Sequence, residues 1–296
     1  FKAEPAALKE EMLAAVARVI DSGWYVLGKE VEVFEQAWTG VCGIPHAVGV
    51  GNGMDAIEIA LRSLDVGPGD EVITTPMTAF ATVLGILRAG AIPVLADIGA
   101  STALLSRESV ARCISPKTKV VILVHLYGQV RDMNAWVQFC ESHNVYLMED
   151  CAQSHLAAWQ GRVAGGFGKA GAYSFYPTKN LGALGDGGML VTNDDALAGR
   201  ASRLRNYGQS VRYHHPEIGM NSRLDEMHAA LLQVRLKWLP EFTQRRQAIA
   251  NRYLQGIDHD LIHQLGMPQE TAAHVYHLYV ITCEKRDALQ KHLESS

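Results

Sequence analysis

A lysine in a glycine-rich loop is the residue of this sequence best suited to covalent chemistry. Lys179 follows the apolar run 171–176 and Pro177, and four glycines fall within the seven residues 182–188. Proline ends strand pairing, and glycines let the main chain approach a ligand closely. Burial there would lower the lysine pKa and leave a neutral amine that attacks a carbonyl to form a Schiff base. Taken alone, a lysine in a loop is more often a surface residue.

An aspartate at the end of a predicted strand supplies the second chemical group. The apolar run 145–149 leads into Asp150, and ligands of open α/β sheets bind beyond the carboxyl ends of parallel strands. A helix cap is the plainer reading of Asp150. Lys179 and Asp150 together are the pair that pyridoxal phosphate chemistry requires, an amine for the aldehyde and a carboxylate for the protonated pyridine nitrogen.

A glycine turn at residues 49–56 lies between a predicted strand and a predicted helix. The N-terminus of a helix offers unpaired N–H groups and a positive dipole end to a phosphate. The third glycine is misplaced for the dinucleotide fingerprint, and the acids Asp70 and Glu71 precede the next strand instead of ending it. The turn therefore favours a single phosphate and argues against a nucleotide-binding dehydrogenase.

Regular alternation of strands and helices must position these groups. Apolar periodicity predicts an opening helix over 6–20 and alternating elements from residue 47 to residue 149. Such alternation predicts an α/β fold with a mostly parallel central sheet and helices on both faces. Further elements are expected at 188–192 (strand), 194–203 (helix), 224–254 (long helix), 276–281 (strand) and 285–293 (helix). We predict a large domain over 1–240 and a smaller, incomplete C-terminal α/β domain over 241–296.

Composition excludes several classes of partner. The chain has 296 residues, 48% of them hydrophobic, and a net charge of -4, which gives no reason to bind nucleic acid or an anionic membrane. Its five cysteines lack a C-x-x-C pair, and the adjacent His214 and His215 are read as loop, so we predict no metal site and a cytoplasmic location. The first residue, Phe1, is no initiator methionine, so we expect further residues before it.

Several ordered motifs indicate a known family. They are Gly67-Pro68-Gly69-Asp70-Glu71-Val72-Ile73, His125-Leu126-Tyr127-Gly128-Gln129, Glu149-Asp150-Cys151-Ala152-Gln153, Ser174-Phe175-Tyr176-Pro177-Thr178-Lys179-Asn180-Leu181-Gly182, Arg205-Asn206-Tyr207-Gly208 and Asn221-Ser222-Arg223-Leu224-Asp225-Glu226. With these motifs the sequence resembles the sugar aminotransferases of the DegT/DnrJ/EryC1/StrS family. Those are pyridoxal phosphate enzymes of the aspartate aminotransferase fold, which is fold type I.

The resemblance implies roles for three residues around the cofactor ring. Lys179 would form the Schiff base, Asp150 would pair with the pyridine nitrogen, and Gln153 would lie near the phenolic oxygen. A related branch of the fold that dehydrates sugars typically has histidine in place of the lysine, so Lys179 argues against a nucleotide-sugar dehydratase.

The resemblance also implies a phosphate site that two subunits share. Ser174 would bind the phosphate together with Gly53, Met54 and Asp55 at the helix start, and Asn221 would reach the phosphate of the neighbouring subunit. A homodimer follows from that arrangement. The alternative for Asn221 is a cap of the long helix that follows it.

Two positions depart from the family pattern. The aromatic ring that commonly stacks on the cofactor directly follows a threonine, where this chain has Ala79, and Phe80 stands one place later. Met54 occupies a position that is often threonine, which keeps the backbone donor and loses a hydroxyl. Relatives would also continue beyond Ser296, through most of the small domain.

The resemblance implies transfer of an amino group from L-glutamate to a nucleotide-linked keto-deoxyhexose. The sequence leaves the keto position open between C3 and C4, and the nucleotide open among dTDP, UDP and GDP. A pyridoxal phosphate-binding protein with a regulatory, non-catalytic role is a further alternative.

Overall fold

A seven-stranded sheet is the centre of the computed structural model, which describes residues 4–295. The strands of that region are β1 (His46–Val50), β2 (Glu71–Thr74), β3 (Ile92–Leu95), β4 (Thr118–Val124), β5 (Tyr146–Asp150), β6 (Ala158–Trp159), β7 (Arg162–Val163), β8 (Ala170–Ser174), β9 (Gly188–Thr192), β10 (His263–Gln264) and β11 (Ile281–Thr282). The helices are α1 (Ala6–Ser22), α2 (Lys29–Cys42), α3 (Gly53–Ser63), α4 (Phe80–Arg88), α5 (Arg107–Cys113), α6 (Met133–Ser142), α7 (Asp195–Leu204), α8 (Glu226–Gly256) and α9 (Arg286–Ser295).

The large sheet is mostly parallel, as the alternation predicted. Its strand order is β1-β9-β8-β5-β4-β2-β3. Only β9 runs antiparallel to its neighbours β1 and β8, and the remaining neighbours pair in parallel. The carboxyl ends of β5 and β8 therefore meet at one edge of the sheet, which is the edge where ligands bind in such folds.

Helices cover both faces of the sheet, and the side-chain alternation of β4 shows why. Val121 and Leu123 pack into one apolar cluster with α2, α6 and α8, whereas Val120 and Ile122 pack into another with α3 and α7. A strand buried on both faces reads as a continuous apolar run, because successive side chains point to opposite sides.

The long helix α8 joins the predicted domains. It begins at Glu226, whose buried carboxylate accepts hydrogen bonds from the N–H groups of Gly28, Glu30 and Val31 at the start of α2. α8 continues through Pro240, so the division at residue 240 falls inside a helix and remains a prediction.

The predicted strand at 276–281 is wrong. The structure has only the short β11 there, paired with β10, and Tyr276 adopts a left-handed backbone conformation with φ 46°. The segment packs against a loop instead of a sheet: Val275 N–H donates to Gly128 O (2.9 Å), and the rings of His274 and Tyr276 stack 3.8 Å apart. These contacts with a distant loop override the strand-like apolar pattern.

Within residues 4–295, no helix has the length and apolar character that crossing a lipid bilayer requires.

Candidate active site

The predicted catalytic groups meet at the carboxyl edge of the sheet. Asp150 ends β5 and Ser174 ends β8, and Asp150 lies opposite Ala172 in the parallel ladder between them. Gly188, the first residue of β9, lies opposite Ser174 on one side and opposite the end of β1 on the other. This register brings the start of α3 beside the end of β8.

Asp150 is buried and held by two donors. Its side chain accepts a hydrogen bond from the Thr82 hydroxyl (Oγ1 to Oδ2, 2.7 Å) and one from the Ala152 N–H (3.1 Å). Thr82 is itself fully buried and accepts a hydrogen bond from the Thr78 hydroxyl (2.8 Å). These bonds fix the orientation of the carboxylate, which forms no ion pair with a basic side chain among residues 4–295.

Thr82 was not singled out in the sequence, and its contact yields a prediction. Thr82→Val keeps the volume of the side chain and removes the donor to Asp150. We expect kcat to fall about 10-fold, because a hydrogen bond to a charged group is worth roughly 1.5–3 kcal/mol. Thr78→Val, which acts one bond further away, serves as the matched control. Equal kcat for wild type and Thr82→Val would remove Thr82 from this role.

Lys179 is half-buried in a tight turn after Pro177. Its N–H donates to Tyr176 O (2.9 Å), and a Cβ on Gly182 would lie 2.5 Å from Pro177 O, so the loop closes this tightly only with glycine. Burial lowers the pKa of Lys179, and the carboxylate of Asp150 partly opposes that shift. The structure therefore brings the two predicted groups together at one edge of the sheet.

The residue after the lysine is anchored to the C-terminal part of the chain. Buried Asn180 donates its side-chain N–H to Val275 O (3.0 Å), and its Oδ1 lies 3.1 Å from Nδ1 of His277. Because Asn180 Oδ1 is an acceptor, Nδ1 of His277 carries the proton. Burial lowers the pKa of His277 to about 4. Sequence reasoning missed this anchor, since nearly a hundred positions separate the partners.

The start of α3 provides free donors for a phosphate. Asn52 caps the helix by accepting the Asp55 N–H (2.9 Å), whereas the N–H groups of Gly53 and Met54 have no partner among residues 4–295. A Cβ on Gly53 would lie 2.7 Å from the Cβ of Ser174, so glycine is required for this approach. The Ser174 hydroxyl oxygen accepts the Tyr176 N–H (3.3 Å), which leaves its O–H able to donate.

Asp55 supports this turn with its carboxylate. The buried side chain accepts hydrogen bonds from Asn52 (3.0 Å), Ser222 (2.7 Å) and Arg88 (3.0 Å). Both its N–H and its carboxylate are therefore engaged, and a direct contact between Asp55 and a phosphate remains a prediction. Sequence reasoning predicted neither Ser222 nor Arg88 as a partner of Asp55.

Gln153 has a fixed amide orientation. Its Oε1 accepts the N–H of Tyr127 (2.6 Å), which adopts a left-handed conformation with φ 62°. The acceptor end of the amide is thus occupied, and the Nε2 group is left as a donor. The phenolic oxygen of a cofactor ring would accept a hydrogen bond from this donor.

Two predicted residues lie on the surface of the chain. Phe80 begins α4 and is 69% exposed, and Ala79 precedes it at the cap position. Asn221 is exposed and pairs through its backbone with Asn206, five positions before α8 begins. Asp225 is the residue that precedes the helix, so the reading of Asn221 as its cap is wrong.

His155 supports the end of β8 from below. It is fully buried beside the rings of Trp38, Tyr173 and Phe175, and its Nε2 donates to Ser174 O (3.0 Å). Burial lowers the pKa of His155 to about 3. The imidazole is therefore neutral at physiological pH.

Acid sensitivity follows from that pKa. The unfolded chain binds a proton below the ordinary value of 6.5, but the native chain binds none at His155 until about 3, so stability falls with pH across that window. This one group is expected to lower the free energy of unfolding by about 2 kcal/mol between pH 6.5 and about pH 5. His155→Gln keeps a donor and cannot titrate. The free energy of unfolding, measured with denaturant at both pH values, should fall less between them in the variant than in the wild type. An equal fall in both proteins would contradict the assignment.

A buried trio next to Asp150 has a structural role. His125, Glu149 and Cys151 offer potential metal ligands within 4.8 Å of one another. The Glu149 carboxylate already accepts hydrogen bonds from the N–H groups of Gly165 (2.7 Å), Phe167 (2.7 Å) and Gly168 (2.8 Å), and His125 Nε2 lies 2.9 Å away. The Glu149 oxygens therefore fix the loop that precedes β8.

Comparisons with known proteins identify relatives of this chain. The chain is 43% identical to dTDP-3-amino-3,4,6-trideoxy-alpha-D-glucose transaminase of Streptomyces venezuelae, over 100% of this chain and 78% of that protein. It is also 43% identical to a pleiotropic regulatory protein of Geobacillus stearothermophilus, over 97% of this chain and 78% of the relative. The crystal structure of S. venezuelae DesV in complex with a ketimine intermediate superposes with a TM-score of 0.94 at 43% identity, covering 98% of this chain and 78% of that one.

The family assignment rests on nearly the whole chain. One family model matches residues 6–296, and the two relatives named above align with 100% and 97% of the chain. The motifs that indicated the resemblance include Lys179 and Asp150, which the fold places at one edge of the sheet. The chain belongs to the DegT/DnrJ/EryC1/StrS aminotransferase family and is a sugar aminotransferase of the pyridoxal phosphate-dependent class.

Proposed function

We propose that this chain transfers an amino group from L-glutamate to a dTDP-linked 3-keto-deoxyhexose. The observation that supports the reaction type is the half-buried Lys179 beside the buried Asp150, next to the free N–H groups at the start of α3. The choice of dTDP and of C3 is supported by the 43% identity to the S. venezuelae transaminase.

The residues of this edge fit pyridoxal phosphate. The N–H groups of Gly53 and Met54, the Ser174 hydroxyl and the dipole of α3 would hold the phosphate. Gln153 would donate its amide to the phenolic oxygen, and Phe80 would cover the ring. When bound, pyridoxal phosphate supplies the aldehyde that carries the amino group and a ring that takes up an electron pair.

Lys179 and Asp150 would handle the protons. As a neutral amine, Lys179 would accept the proton from the α-carbon of the donor and return it on the other side of the transfer. Asp150, oriented by Thr82, would keep a proton on the ring nitrogen, because a carboxylate in contact stabilises the charged form. The acceptor half of the reaction would reverse these movements.

Two other functions make different predictions. A nucleotide-sugar dehydratase of this fold would need no amine that shuttles protons at Lys179, and it would release no 2-oxoglutarate. A regulatory protein, as the name of the Geobacillus relative suggests for that protein, would bind pyridoxal phosphate without turnover.

A substrate panel separates these functions. The purified protein is incubated with L-glutamate and dTDP- or UDP-linked sugars that carry a ketone at C3 or C4, and the products are identified by mass spectrometry. We expect an amino sugar and 2-oxoglutarate in equal amounts, with the dTDP-linked 3-keto sugar preferred and with no product from Lys179→Ala. Loss of water from a sugar without amino transfer, or binding without any turnover, would contradict the proposal.

We infer further that the working enzyme is a homodimer whose sites include Asn221 of the opposite subunit. Asn221 is exposed and lies in the loop before α8, and its neighbour Ser222 contacts Gly51 N–H (2.9 Å) and Asp55 (2.7 Å). This loop thus borders the glycine turn at residues 49–56 of its own chain, which is the predicted phosphate turn. Asn221 itself is exposed.

Subunit mixing tests this sharing. Lys179→Ala and Asn221→Asp chains are each expected to be inactive, the second because its carboxylate repels the phosphate. If Asn221 acts across the interface, a mixed dimer has one doubly defective site and one intact site. Activity should then return to as much as half of the wild-type value per mixed dimer. Mixed dimers that form, as native mass spectrometry would show, and remain inactive would place Asn221 in its own subunit's site.

A further inference from the structure

We propose that an arginine-lined cavity beside Lys179 binds the diphosphate of the substrate, an inference that rests on the proposed function. The cavity measures about 490 Å³ and lies between the lysine loop and one face of α8. Its charged lining residues are Glu4, Lys179, Arg235, Arg245 and Arg246. That volume is within the range of small-molecule sites, which is about 300–1,000 Å³.

The charge of the lining is opposite to that of the whole chain. Three arginines and one carboxylate face the cavity beside Lys179, although the net charge of the chain is -4. The side chains that form the α8 wall recur at helical spacing, so this cationic stripe lies along one side of the helix. A localised excess of positive charge beside a reactive lysine favours an anionic ligand.

Arg246 is a half-buried arginine whose positive charge has no acidic partner among residues 4–295. Its Nη1 donates to the carbonyl oxygens of Tyr276 (3.1 Å) and His277 (3.3 Å), and it forms no ion pair with any carboxylate among residues 4–295. Burial lowers its pKa. A half-buried guanidinium that is bonded only to neutral oxygens retains an uncompensated charge, and its remaining N–H groups are available to an anion.

Each of the neighbouring arginines has a single acidic partner. Arg235 is almost fully buried and pairs with Glu4 (2.7 Å), while its Nε has no acceptor among the described residues. Arg245 pairs with Glu241 and lies over the ring of Phe242, 6.0 Å from its centroid. Arg245 is 56% exposed and free to turn toward a ligand, because a surface ion pair is weak.

A diphosphate suits this lining better than a carboxylate. Guanidinium groups form two parallel hydrogen bonds to phosphate oxygens, and a diphosphate presents enough oxygens for more than one arginine. Phe242 and Ile249 add apolar surface to the same wall, against which the apolar parts of a nucleotide sugar can pack. Since Lys179 lines the cavity, an anchored diphosphate would hold the linked sugar close to the reacting amine.

Binding to the holoenzyme tests the cavity independently of turnover. The cofactor fills the phosphate turn, so added anions must bind elsewhere. Isothermal titration calorimetry is performed with thymidine diphosphate, inorganic pyrophosphate and glutarate, the last as a dicarboxylate analogue of the amino donor. The proteins are wild type, Arg245→Gln and Arg246→Gln, with Arg252→Gln as the control, because Arg252 is exposed on α8 and does not line the cavity.

We expect Arg245→Gln and Arg246→Gln each to raise the Kd of thymidine diphosphate and of pyrophosphate about 10-fold, the usual effect of losing a charge-assisted hydrogen bond. Arg252→Gln and the Kd of glutarate should stay unchanged. Arg245→Gln leaves the backbone anchors of Arg246 intact, so it remains informative if Arg246→Gln fails to fold. Unchanged diphosphate binding in Arg245→Gln, or weakened binding of glutarate alone, would overturn the proposal.

The cavity assignment and the proposed function can fail independently of each other. If the wild-type holoenzyme aminates a keto sugar but Arg245→Gln binds thymidine diphosphate normally, the cavity assignment fails and the function stands. If no keto sugar is aminated while pyrophosphate binding depends on both arginines, the function fails and the anion site stands.

Discussion

Replacing Lys179 with alanine is expected to lower amino transfer by roughly 10⁴-fold or more, because the variant loses both the covalent attachment and the proton carrier. The structure places this amine in a loop that only glycine at position 182 can close, where burial lowers its pKa. Few single changes elsewhere in the chain should approach this effect.

The loss of activity in Lys179→Ala should come from the missing amine and not from loss of the cofactor. Gly53, Met54 and Ser174 are untouched in Lys179→Ala, so the variant should still retain pyridoxal phosphate, bound without a covalent bond and still released by denaturation after borohydride treatment. Single-turnover measurements of the conversion of cofactor by L-glutamate give the rate. Added methylamine should restore part of it by acting as a free base. Lys169→Ala, whose lysine lies over the ring of Tyr146, is the control and should be fully active. Substantial activity in Lys179→Ala would contradict its role.

Asp150→Asn is expected to lower kcat by about 10²- to 10⁴-fold. The substitution keeps the size of the side chain and removes the charge that holds a proton on the ring nitrogen. The amide can also accept from only one of its two present donors, Thr82 and Ala152, because its other end is a donor itself.

A charge control and a binding measurement complete this test. Asp186→Asn removes an exposed carboxylate from the glycine-rich loop and should leave kcat within about 2-fold, as surface changes usually do. Cofactor affinity should fall much less than kcat in Asp150→Asn, because the phosphate contacts remain. Near wild-type turnover in Asp150→Asn would exclude the proposed electrostatic role.

The parts of the site that sequence alone predicted share a local signal. Asp150 ends an apolar strand, and Lys179 stands between a proline and a glycine-rich loop. Glycines before a helix likewise marked the phosphate turn. In each case the backbone requirement is written in residues adjacent to the chemical group, and the alternation of apolar runs was sufficient to predict a mostly parallel sheet.

The missed parts depend on contacts between distant segments. Thr82 bonds to Asp150 across 68 positions, and Asn180 bonds to Val275 across 95 positions. The same long-range contacts explain the wrong strand at 276–281. Its apolar pattern fits a strand, but the carbonyl oxygens of Tyr276 and His277 accept hydrogen bonds from Arg246, so no sheet partner can use those groups. Such pairings follow from topology and leave no periodic trace in the sequence.

Reductive trapping of the cofactor tests whether Lys179 holds it. The purified protein is treated with sodium borohydride, digested, and mapped by mass spectrometry. Reduction turns a Schiff base into a stable secondary amine, so the attached mass marks the lysine that held the cofactor. We expect a single pyridoxyl-phosphate modification on the peptide that contains Lys179, and none in Lys179→Ala. Modification of another lysine in its place, or an unmodified Lys179 peptide from protein that carries cofactor, would contradict it.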